Sequence, residues 1–357
     1  MKVRFSAKTV VASTAAAGLL AAGLFSVPAA HAARSTVVIH ETNAFTSLNT
    51  GTPDTNLTTN TDISYMTGMG FNYYDDKKNL VKNTTFGTYK VVKNSSTDFR
   101  VQYTVNPGRV WSDGTPITGV DLLLSHVVCS NAYSIAAGLG DPKAATKPSF
   151  EASCYSGTYN DFIVGEPELS SDEMSVTVRY KGKLADWELY GPGPAPVHAL
   201  ILMSEGKKAL QSVADNEAAK ARFLAAYQTK NTDVLKAMAK VWSNDYNIQA
   251  VDSSTNPLLL VSNGGFIVTG AVAKQSVTLK ANAKYNSGPA TSGITTIVVQ
   301  QGIADGSASA QALANKDVDA YQGQPSADTI AQLKALKGVT VVAPPAFAYE
   351  HIELRVA

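Results

Sequence analysis

The sequence predicts an α/β protein, because segments with strand periodicity alternate with segments of helical periodicity along the chain. Residues 36–40 form a short apolar run rich in β-branched side chains, as expected of a buried strand. Residues 88–93 and 99–105 alternate apolar and polar side chains around a polar Asn-Ser-Ser turn, which predicts an antiparallel hairpin. Residues 204–242 carry apolar side chains at helical spacing and predict two consecutive helices.

Residues 1–32 have the three parts of a secretory signal peptide. These are a positive region with Lys2, Arg4 and Lys8, an apolar region over residues 10–27, and an Ala30-His31-Ala32 cleavage site. A membrane anchor is the alternative interpretation, although the apolar stretch is barely long enough to cross a bilayer. Since no cysteine lies near the cleavage site, no lipid attachment is expected there. The protein is predicted to be exported, to a periplasm or to the outside of the cell.

The composition suits a globular protein of low surface charge, with 45% hydrophobic and 17% charged residues. Removing residues 1–32 takes away three of the 30 basic residues, so that 27 remain against 29 acidic ones and the net charge is −2. Nothing in this balance indicates a nucleic acid or a membrane surface as a partner.

The only two cysteines are Cys129 and Cys154. In an exported chain an even pair favours a disulfide, and closing this loop would contribute about 3.5 kcal/mol through chain entropy. Two buried free thiols are the alternative. A metal site is disfavoured, because two cysteines without neighbouring histidines do not supply four ligands.

The stretch from Arg109 to Ser125 predicts a strand, a tight turn and a helix. Ser112-Asp113-Gly114 is a turn signal, since glycine tolerates a positive φ. Thr118 and Asp121 have the spacing of a capping box, and apolar residues follow at helical spacing. Trp111 is expected to pack beneath the turn.

This stretch resembles the signature of the extracellular solute-binding proteins of family 5, the peptide-, dipeptide- and nickel-binding receptors of ABC importers. The matching residues are Trp111, Asp113, Gly114, Pro116, Thr118 and Asp121. Further matches to the family follow in order: Pro194, Pro196 and His198; Leu279, Asn282 and Tyr285; and Ala312, Leu313, Val318 and Asp319, with Lys316 in place of a turn glycine. The resemblance covers nearly all of residues 34–357.

The resemblance also assigns several elements. Residues 63–74 correspond to a helix that ends in a turn, and residues 307–314 to a helix that leads into a strand at residues 318–320. Residues 339–342 and 349–354 correspond to two later strands. From alternation alone, residues 174–180 predict an exposed edge strand and residues 294–300 a further strand.

The fold implied by the resemblance is a two-lobed α/β fold like that of the periplasmic binding proteins, of type II and in the large peptide-binding cluster. We expect residues 1–32 to be a signal peptide and residues 33–270 to be lobe I, with an inserted subdomain at about residues 75–190. Residues 271–357 are expected to begin lobe II and to leave it incomplete, because family members continue well beyond this point. The sequence is therefore expected to be a fragment or a truncated product.

Three segments are candidate ligand-binding residues by their place in the family pattern. They are Phe45, Thr46 and Ser47 after the first strand; Gly264, Gly265 and Phe266 near the hinge; and Tyr321, Gln322 and Gln324 after the strand that contains Asp319. The alternative for each segment is an ordinary solvated loop, since such residues are common in loops.

No catalytic motif favours an enzyme. Ser204 and Lys207 satisfy an S-x-x-K pattern, but Ser204 is better interpreted as the N-cap of the following helix, and His198 as a structural residue. The histidines after residue 32 are scattered singly, so no metal site and no cofactor are expected, although relatives that bind nickel leave metal open.

The function implied by the resemblance is that of a monomeric substrate-binding component of an ABC importer. Its partners would be a peptide or similar small solute and a membrane permease, with no nucleic acid. The alternatives are a secreted ligand sensor or surface protein on the same fold, with no role in transport, and a truncated product that binds nothing.

Overall fold

The computed structural model describes residues 35–77, 79–138, 150, 154, 162–183, 187–189, 191–291, 293–301, 306–322 and 326–342. The predicted signal peptide at residues 1–32 and the predicted strand at residues 349–354 lie outside this part of the chain. Within it, no helix is both long enough and apolar enough to cross a membrane.

The described strands alternate with helices and form three sheets. In chain order the strands are β1 (Thr36–Glu41), β2 (Asn72–Tyr74), β3 (Leu80–Lys82), β4 (Gly87–Asn94), β5 (Phe99–Val105), β6 (Glu168–Leu169), β7 (Ser175–Tyr180), β8 (Phe266–Val272), β9 (Ser276–Ala281), β10 (Thr296–Gln301) and β11 (Ala320–Tyr321).

The main sheet has the strand order β11-β1-β10-β9-β8. Strand β1 runs parallel to both β10 and β11, whereas β10, β9 and β8 are antiparallel neighbours. The first strand and the strand at residues 294–300 are thus confirmed, and β11 begins two residues later than predicted. Residues 339–342, predicted as a strand, are not in a strand.

The four-stranded sheet has the order β4-β5-β7-β6 and is antiparallel throughout. The predicted hairpin is confirmed as β4 and β5, and every second side chain of β5 is buried. The prediction that residues 174–180 form an exposed edge strand is wrong. Strand β7 lies between β5 and β6 and is largely buried, because β6 covers its other side.

Eight described α-helices connect the strands. They are α1 (Thr58–Thr67), α2 (Leu124–Cys129), α3 (Asn131–Ala136), α4 (Val197–Ser204), α5 (Val213–Thr229), α6 (Thr232–Lys240), α7 (Gly306–Asn315) and α8 (Ala327–Ala335). The two helices predicted within residues 204–242 are confirmed as α5 and α6, and the helix at residues 307–314 as α7.

Two helix boundaries differ from the sequence prediction. Helix α1 begins at Thr58, five residues before the predicted start, and residues 72–74 form a strand. Ser204 is the last residue of α4, and its hydroxyl donates to the Ile201 carbonyl oxygen at 2.7 Å. The N-cap of α5 is Ser212, whose hydroxyl oxygen accepts from the Asp215 N–H. Ser204 is therefore a C-terminal helix residue and not the predicted N-cap.

Two hydrophobic clusters hold these layers together. The larger cluster packs the four-stranded sheet against α2–α6 and contains Trp111, Tyr103 and Phe223. The smaller cluster lies on the main sheet and contains Phe45 and Ile63, so α1 and the segment after β1 are both fixed on that sheet.

The predicted disulfide between Cys129 and Cys154 is confirmed, with 5.3 Å between the two Cα atoms. It attaches the end of α2 to a residue 25 positions later in the chain. The predicted lobe boundary at residue 270 falls inside β8, and the main sheet takes strands from both sides of it. The division into residues 33–270, with an inserted subdomain at about 75–190, and 271–357 stays a prediction.

Candidate functional site

A pocket of about 300 Å³ lies at the carboxyl ends of the parallel strands β1 and β11. We call it the strand-end pocket. It is lined by Ile39, Glu41, Thr59, Asp62, Ile63, Tyr65, Met66, Val299, Ala320, Tyr321 and Gln322. In open α/β sheets, ligands characteristically bind outside the carboxyl ends of the strands.

The spacing of residues along β1 and along α1 determines which side chains line this pocket. Ile39 and Glu41 are two positions apart on β1, so their side chains project from the same face of the sheet. Helix α1 covers that face with Thr59, Asp62, Ile63 and Met66, which recur at spacings of three and four and so share one side of the helix. The walls are mainly apolar, and the polar groups gather where β1 ends.

The carboxyl groups of Glu41 and Asp62 both line the pocket and are near enough for each to affect the pKa of the other. Glu41 is only 4% exposed, although it is an ionisable residue. Its burial, with the neighbouring charge of Asp62, raises the pKa of Glu41 to about 8, while a hydrogen bond from Thr59 acts in the opposite direction. Burial also raises the pKa of Asp62. The pair therefore holds a proton at neutral pH.

Gln322 closes one side of this pair, because its Nε2 donates to Oδ2 of Asp62 at 3.2 Å. Its backbone N–H points to the His40 carbonyl oxygen at 3.5 Å, which continues the β11–β1 pairing. Of the residues predicted from the sequence, Tyr321 and Gln322 thus lie in the strand-end pocket. Gln324 lies outside the described residues.

Phe45, Thr46 and Ser47 do not line the strand-end pocket. Phe45 is fully buried in the smaller hydrophobic cluster. The N–H groups of Thr46 and Ser47 donate to Oδ1 of Asn60 at 2.9 and 3.4 Å, and the Ser47 hydroxyl donates to the Tyr246 carbonyl oxygen at 3.1 Å. This segment fixes the loop after β1 to α1, and its predicted contact with ligand stays a prediction.

Gly264, Gly265 and Phe266 lie at the start of β8, against the end of α1. The Gly264 N–H donates to the Thr67 carbonyl oxygen at 2.7 Å, and a Cβ at Gly264 would lie 2.3 Å from the Thr67 carbonyl carbon. Only glycine allows this close approach. Phe266 belongs to the smaller hydrophobic cluster. The structure does not bring these three residues into the strand-end pocket.

Two further pockets adjoin these elements. One of about 250 Å³ shares Tyr65 with the strand-end pocket and is lined by exposed apolar side chains that include Tyr74 and Leu189. Another of about 340 Å³ lies between the loop at residues 48–51 and Trp242, and no charged side chain lines it. The strand-end pocket is distinguished from both by two neighbouring carboxyl groups that have no basic side chain in the pocket lining.

The turn at Asp113 and Gly114 is structural. His198 is completely buried, and its Nε2 lies 2.8 Å from Oδ2 of Asp113, which agrees with a structural role. Trp111 is 2% exposed, as expected of a residue that packs beneath the turn, and Thr118 and Asp121 form the predicted capping box. In the described ranges, no three histidine, cysteine or acidic residues are grouped so as to hold a metal ion.

Sequence reasoning missed Glu41, Thr59 and Asp62. A signal for Glu41 was present, because a carboxylate that ends a buried apolar strand is placed at the edge of the sheet where ligands bind. Thr59 and Asp62 gave no such signal, since α1 lacks a clear apolar periodicity and its inward face is not evident from the sequence.

Comparison with known proteins identifies related chains. Residues 90–357 match the family model described as bacterial extracellular solute-binding proteins, family 5 Middle. No curated protein sequence matches the chain.

Several solved structures resemble this one. The periplasmic EDTA-binding protein EppA is 19% identical, with a TM-score of 0.58 over 84% of this chain and 46% of that one. The oligopeptide-binding protein AppA of Bacillus subtilis, in complex with a nonapeptide, is 16% identical, with a TM-score of 0.51 over 85% and 46%. Lactococcal OppA, with an endogenous peptide and in the closed conformation, is 17% identical, with a TM-score of 0.53 over 85% and 48%.

The likeness to these structures confirms the predicted α/β fold of two-lobed periplasmic binding proteins. The chain spans about half the length of the solved structures it matches.

Proposed function

Because this chain belongs to the bacterial extracellular solute-binding proteins of family 5, we propose that it captures a peptide or a similar small solute for an ABC importer. The bound solute would be delivered to a membrane permease. The observation that carries the proposal is the strand-end pocket, in which Tyr321 and Gln322 lie beside the carboxyl groups of Glu41 and Asp62. EppA is a binder of EDTA, and AppA and lactococcal OppA are shown with peptides, which supports a solute of that size.

The chemistry of the pocket suits recognition rather than catalysis. Ile39, Ile63 and Met66 give apolar walls, and the polar groups of Thr59 and Gln322 provide hydrogen bonds at fixed positions. A concave, largely apolar site with a few placed polar groups is typical of ligand pockets. We therefore propose a binding role without a cofactor.

In this proposal the transport cycle depends on the opening and closing of two lobes. The main sheet that carries the strand-end pocket takes strands from both sides of the predicted lobe boundary. That sheet would present the pocket, and the other lobe would close over the bound solute. Ligand binding would shift the population toward the closed form, which the permease then recognises. The protein would act as an exported monomer.

A melting-temperature screen of the full chain tests this function. The ligands are peptides of two to nine residues and EDTA, each with the wild type and with Gln322→Ala. We expect at least one ligand to raise the melting temperature, since a ligand at 100 times its Kd adds about 2.7 kcal/mol to the free energy of unfolding. We expect Gln322→Ala to weaken that ligand about tenfold.

The matched control is Gln211→Ala, because Gln211 is a half-buried glutamine outside the strand-end pocket whose side-chain amide donates to the carbonyl oxygens of its neighbours Ala209 and Leu210. Its ligand affinity should equal that of the wild type. The proposal is contradicted if no ligand shifts the melting temperature, or if Gln322→Ala and Gln211→Ala behave alike.

A further inference from the structure

The carboxyl groups of Glu41 and Asp62 require a positive partner or a proton. Two carboxylates in contact repel each other, and burial in a medium of low polarity strengthens the repulsion. Two ionised carboxylates are both acceptors, so a hydrogen bond between them requires that one of them is protonated. The pair is therefore a site whose charge is only partly balanced in the ligand-free protein.

No cation from the described residues meets this pair. The polar side chains that line the pocket with it are Thr59 and Tyr65 from α1, Tyr321 from β11 and Gln322 just after β11, and none is basic. His40, the neighbour of Glu41, lies on the opposite face of β1, where its Nε2 is 2.9 Å from Oε1 of Gln300. The ion pairs of the described residues involve neither Glu41 nor Asp62.

A second, independent feature lies beside the pair. Gln301 is the register partner of Glu41 on the parallel strand β10, so the two side chains project from the same face of the sheet. Gln301 is 5% exposed, and its Oε1 accepts from the Phe45 N–H, but its Nε2 has no hydrogen-bond partner. A buried donor without a partner is unfavourable. Gln301 lies beside Glu41 but does not itself line the strand-end pocket, so an acceptor has to reach past the lining residues to satisfy this donor.

The apolar walls complete the recognition chemistry. Ile39, Ile63, Met66 and Val299 suit an aliphatic stem, and the carboxyl groups at the strand end suit a charged head group. Lysine and arginine side chains have this form, an apolar stem with a cationic tip. The pocket of about 300 Å³ has room for such a side chain.

We infer that the strand-end pocket selects a peptide residue, or a similar amide-linked solute, with a cationic side chain whose ammonium or guanidinium group lies between Glu41 and Asp62. This inference rests on the proposed function, because it names the class of solute bound at the same site. When the cation enters, the proton shared by the two carboxyl groups leaves to solvent, and the cation takes over its role of screening the two negative charges.

The test compares two tripeptides, Ala-Lys-Ala and Ala-norleucine-Ala, by isothermal titration calorimetry with the full chain. Norleucine keeps the aliphatic stem of lysine and lacks its ammonium group. We expect the lysine peptide to bind at least about tenfold more tightly at pH 7.5. We expect its affinity to rise about tenfold per pH unit between roughly pH 6 and pH 8, because binding releases a proton. Titrations in buffers of different ionisation enthalpy measure that release directly.

The variants are Glu41→Gln and, in case the buried substitution impairs folding, Asp62→Asn on the half-buried partner. Each should abolish the preference for lysine and the proton release. Glu217→Gln is the matched control, because Glu217 is an exposed carboxylate on α5. It should behave like the wild type.

The outcomes separate this inference from the proposed function. Equal binding of the two tripeptides, or binding of EDTA or neutral peptides alone, overturns the selection of a cation and leaves solute binding intact. A lysine preference that survives in both Glu41→Gln and Asp62→Asn also overturns the inference. Absence of binding by every peptide and by EDTA overturns the proposed function and this inference with it.

Discussion

The imidazole Nε2 of His198 lies 2.8 Å from Oδ2 of Asp113, and both side chains are almost completely buried. The contact joins α4 to the turn that follows Trp111. Asn216 on α5 donates to the same oxygen at 3.2 Å, and the Thr115 N–H donates to the other carboxylate oxygen at 2.9 Å. One carboxylate therefore holds together three segments that are far apart in the sequence.

We expect Asp113→Asn to lower the free energy of unfolding by about 2–4 kcal/mol, because the change breaks a buried polar network and leaves its partners unsatisfied. Asp76→Asn is the control, since Asp76 is exposed, and it should stay within about 0.5 kcal/mol of the wild type. Urea unfolding at neutral pH measures both. Equal stabilities for the two variants would show that the network contributes little.

The stability that the Asp113 carboxylate contributes should depend on pH in the acid range. Burial would raise the pKa of Asp113, but the hydrogen bonds from His198 and Thr115 outweigh burial, and the pKa lies below its ordinary value. A depressed folded-state pKa gives stability that is present above the unfolded pKa of about 3.9 and is lost as the pH falls through the folded pKa. We expect the difference between wild type and Asp113→Asn to shrink below about pH 4. A difference that is constant from neutral pH to pH 3 would contradict this.

The contribution of Glu41 to the free energy of unfolding should have the opposite pH dependence. Its folded-state pKa is raised to about 8, so the stability that this group contributes is present below the unfolded pKa and is lost as the pH rises through about 8. We expect Glu41→Gln to unfold at higher urea concentration than the wild type at pH 8, with a gain of about 1–3 kcal/mol, and to show a smaller gain at pH 5.

Asp62→Asn should change stability in the same direction, because it removes the like charge next to Glu41. Glu217→Gln should leave the pH profile unchanged. Parallel profiles for Glu41→Gln and wild type over pH 5–8 would mean that the carboxyl pair does not share a proton.

The disulfide predicts a large effect on stability. Replacing Cys129 and Cys154 together by serine should lower the free energy of unfolding by about 2–4 kcal/mol, because the unfolded chain is no longer constrained by the closed loop. Urea unfolding under non-reducing conditions measures the change. Addition of a reductant should destabilise the wild type and leave the double variant unaffected, and an equal response of the two would contradict the bond.

Lys316 occupies a left-handed backbone conformation, with φ at 64°, just after α7. The family pattern has a glycine at this position, and a non-glycine residue there is strained. We expect Lys316→Gly to stabilise the protein by about 0.5–1 kcal/mol in thermal unfolding, and Lys316→Ala to give no such gain. Equal effects of glycine and alanine would show that charge, and not backbone strain, decides the stability at this position.

Local patterns predicted those elements whose signal lies within a few residues. Strand β1, the β4–β5 hairpin, the capping box of Thr118 and helices α5 and α6 follow from periodicity and turn chemistry, whereas α7 was located by the family resemblance. The edge position assigned to β7 was wrong, because the pairing partner β6 has only two residues and carries no strand signal of its own. Helix α1 was predicted to begin and to end too late. Its Thr- and Asn-rich first turn has low helix propensity, and the hydrogen bonds of Asn60 support it instead.

Some residues of the candidate site could likewise be predicted from the sequence, and others could not. Tyr321 and Gln322 could be placed because they follow a strand that the family pattern locates. The pairing of Glu41 with Asp62 could not, because it depends on how α1 packs across β1, which is a tertiary property. The register that places Gln301 beside Glu41 joins residues 260 positions apart and is likewise invisible in any local pattern. Ligand binding stays a prediction for Tyr321 and Gln322, and equally for Phe45, Thr46, Ser47, Gly264, Gly265, Phe266 and Gln324.

The central claim is that this chain holds a solute in the strand-end pocket, and native mass spectrometry of the protein purified from its own source tests it most directly. We predict a population with additional mass that is released by gentle activation, and the loss of that population in Gln322→Ala but not in Gln211→Ala. A spectrum of the bare chain alone, unchanged after incubation with peptides of two to nine residues and with EDTA, would contradict the claim.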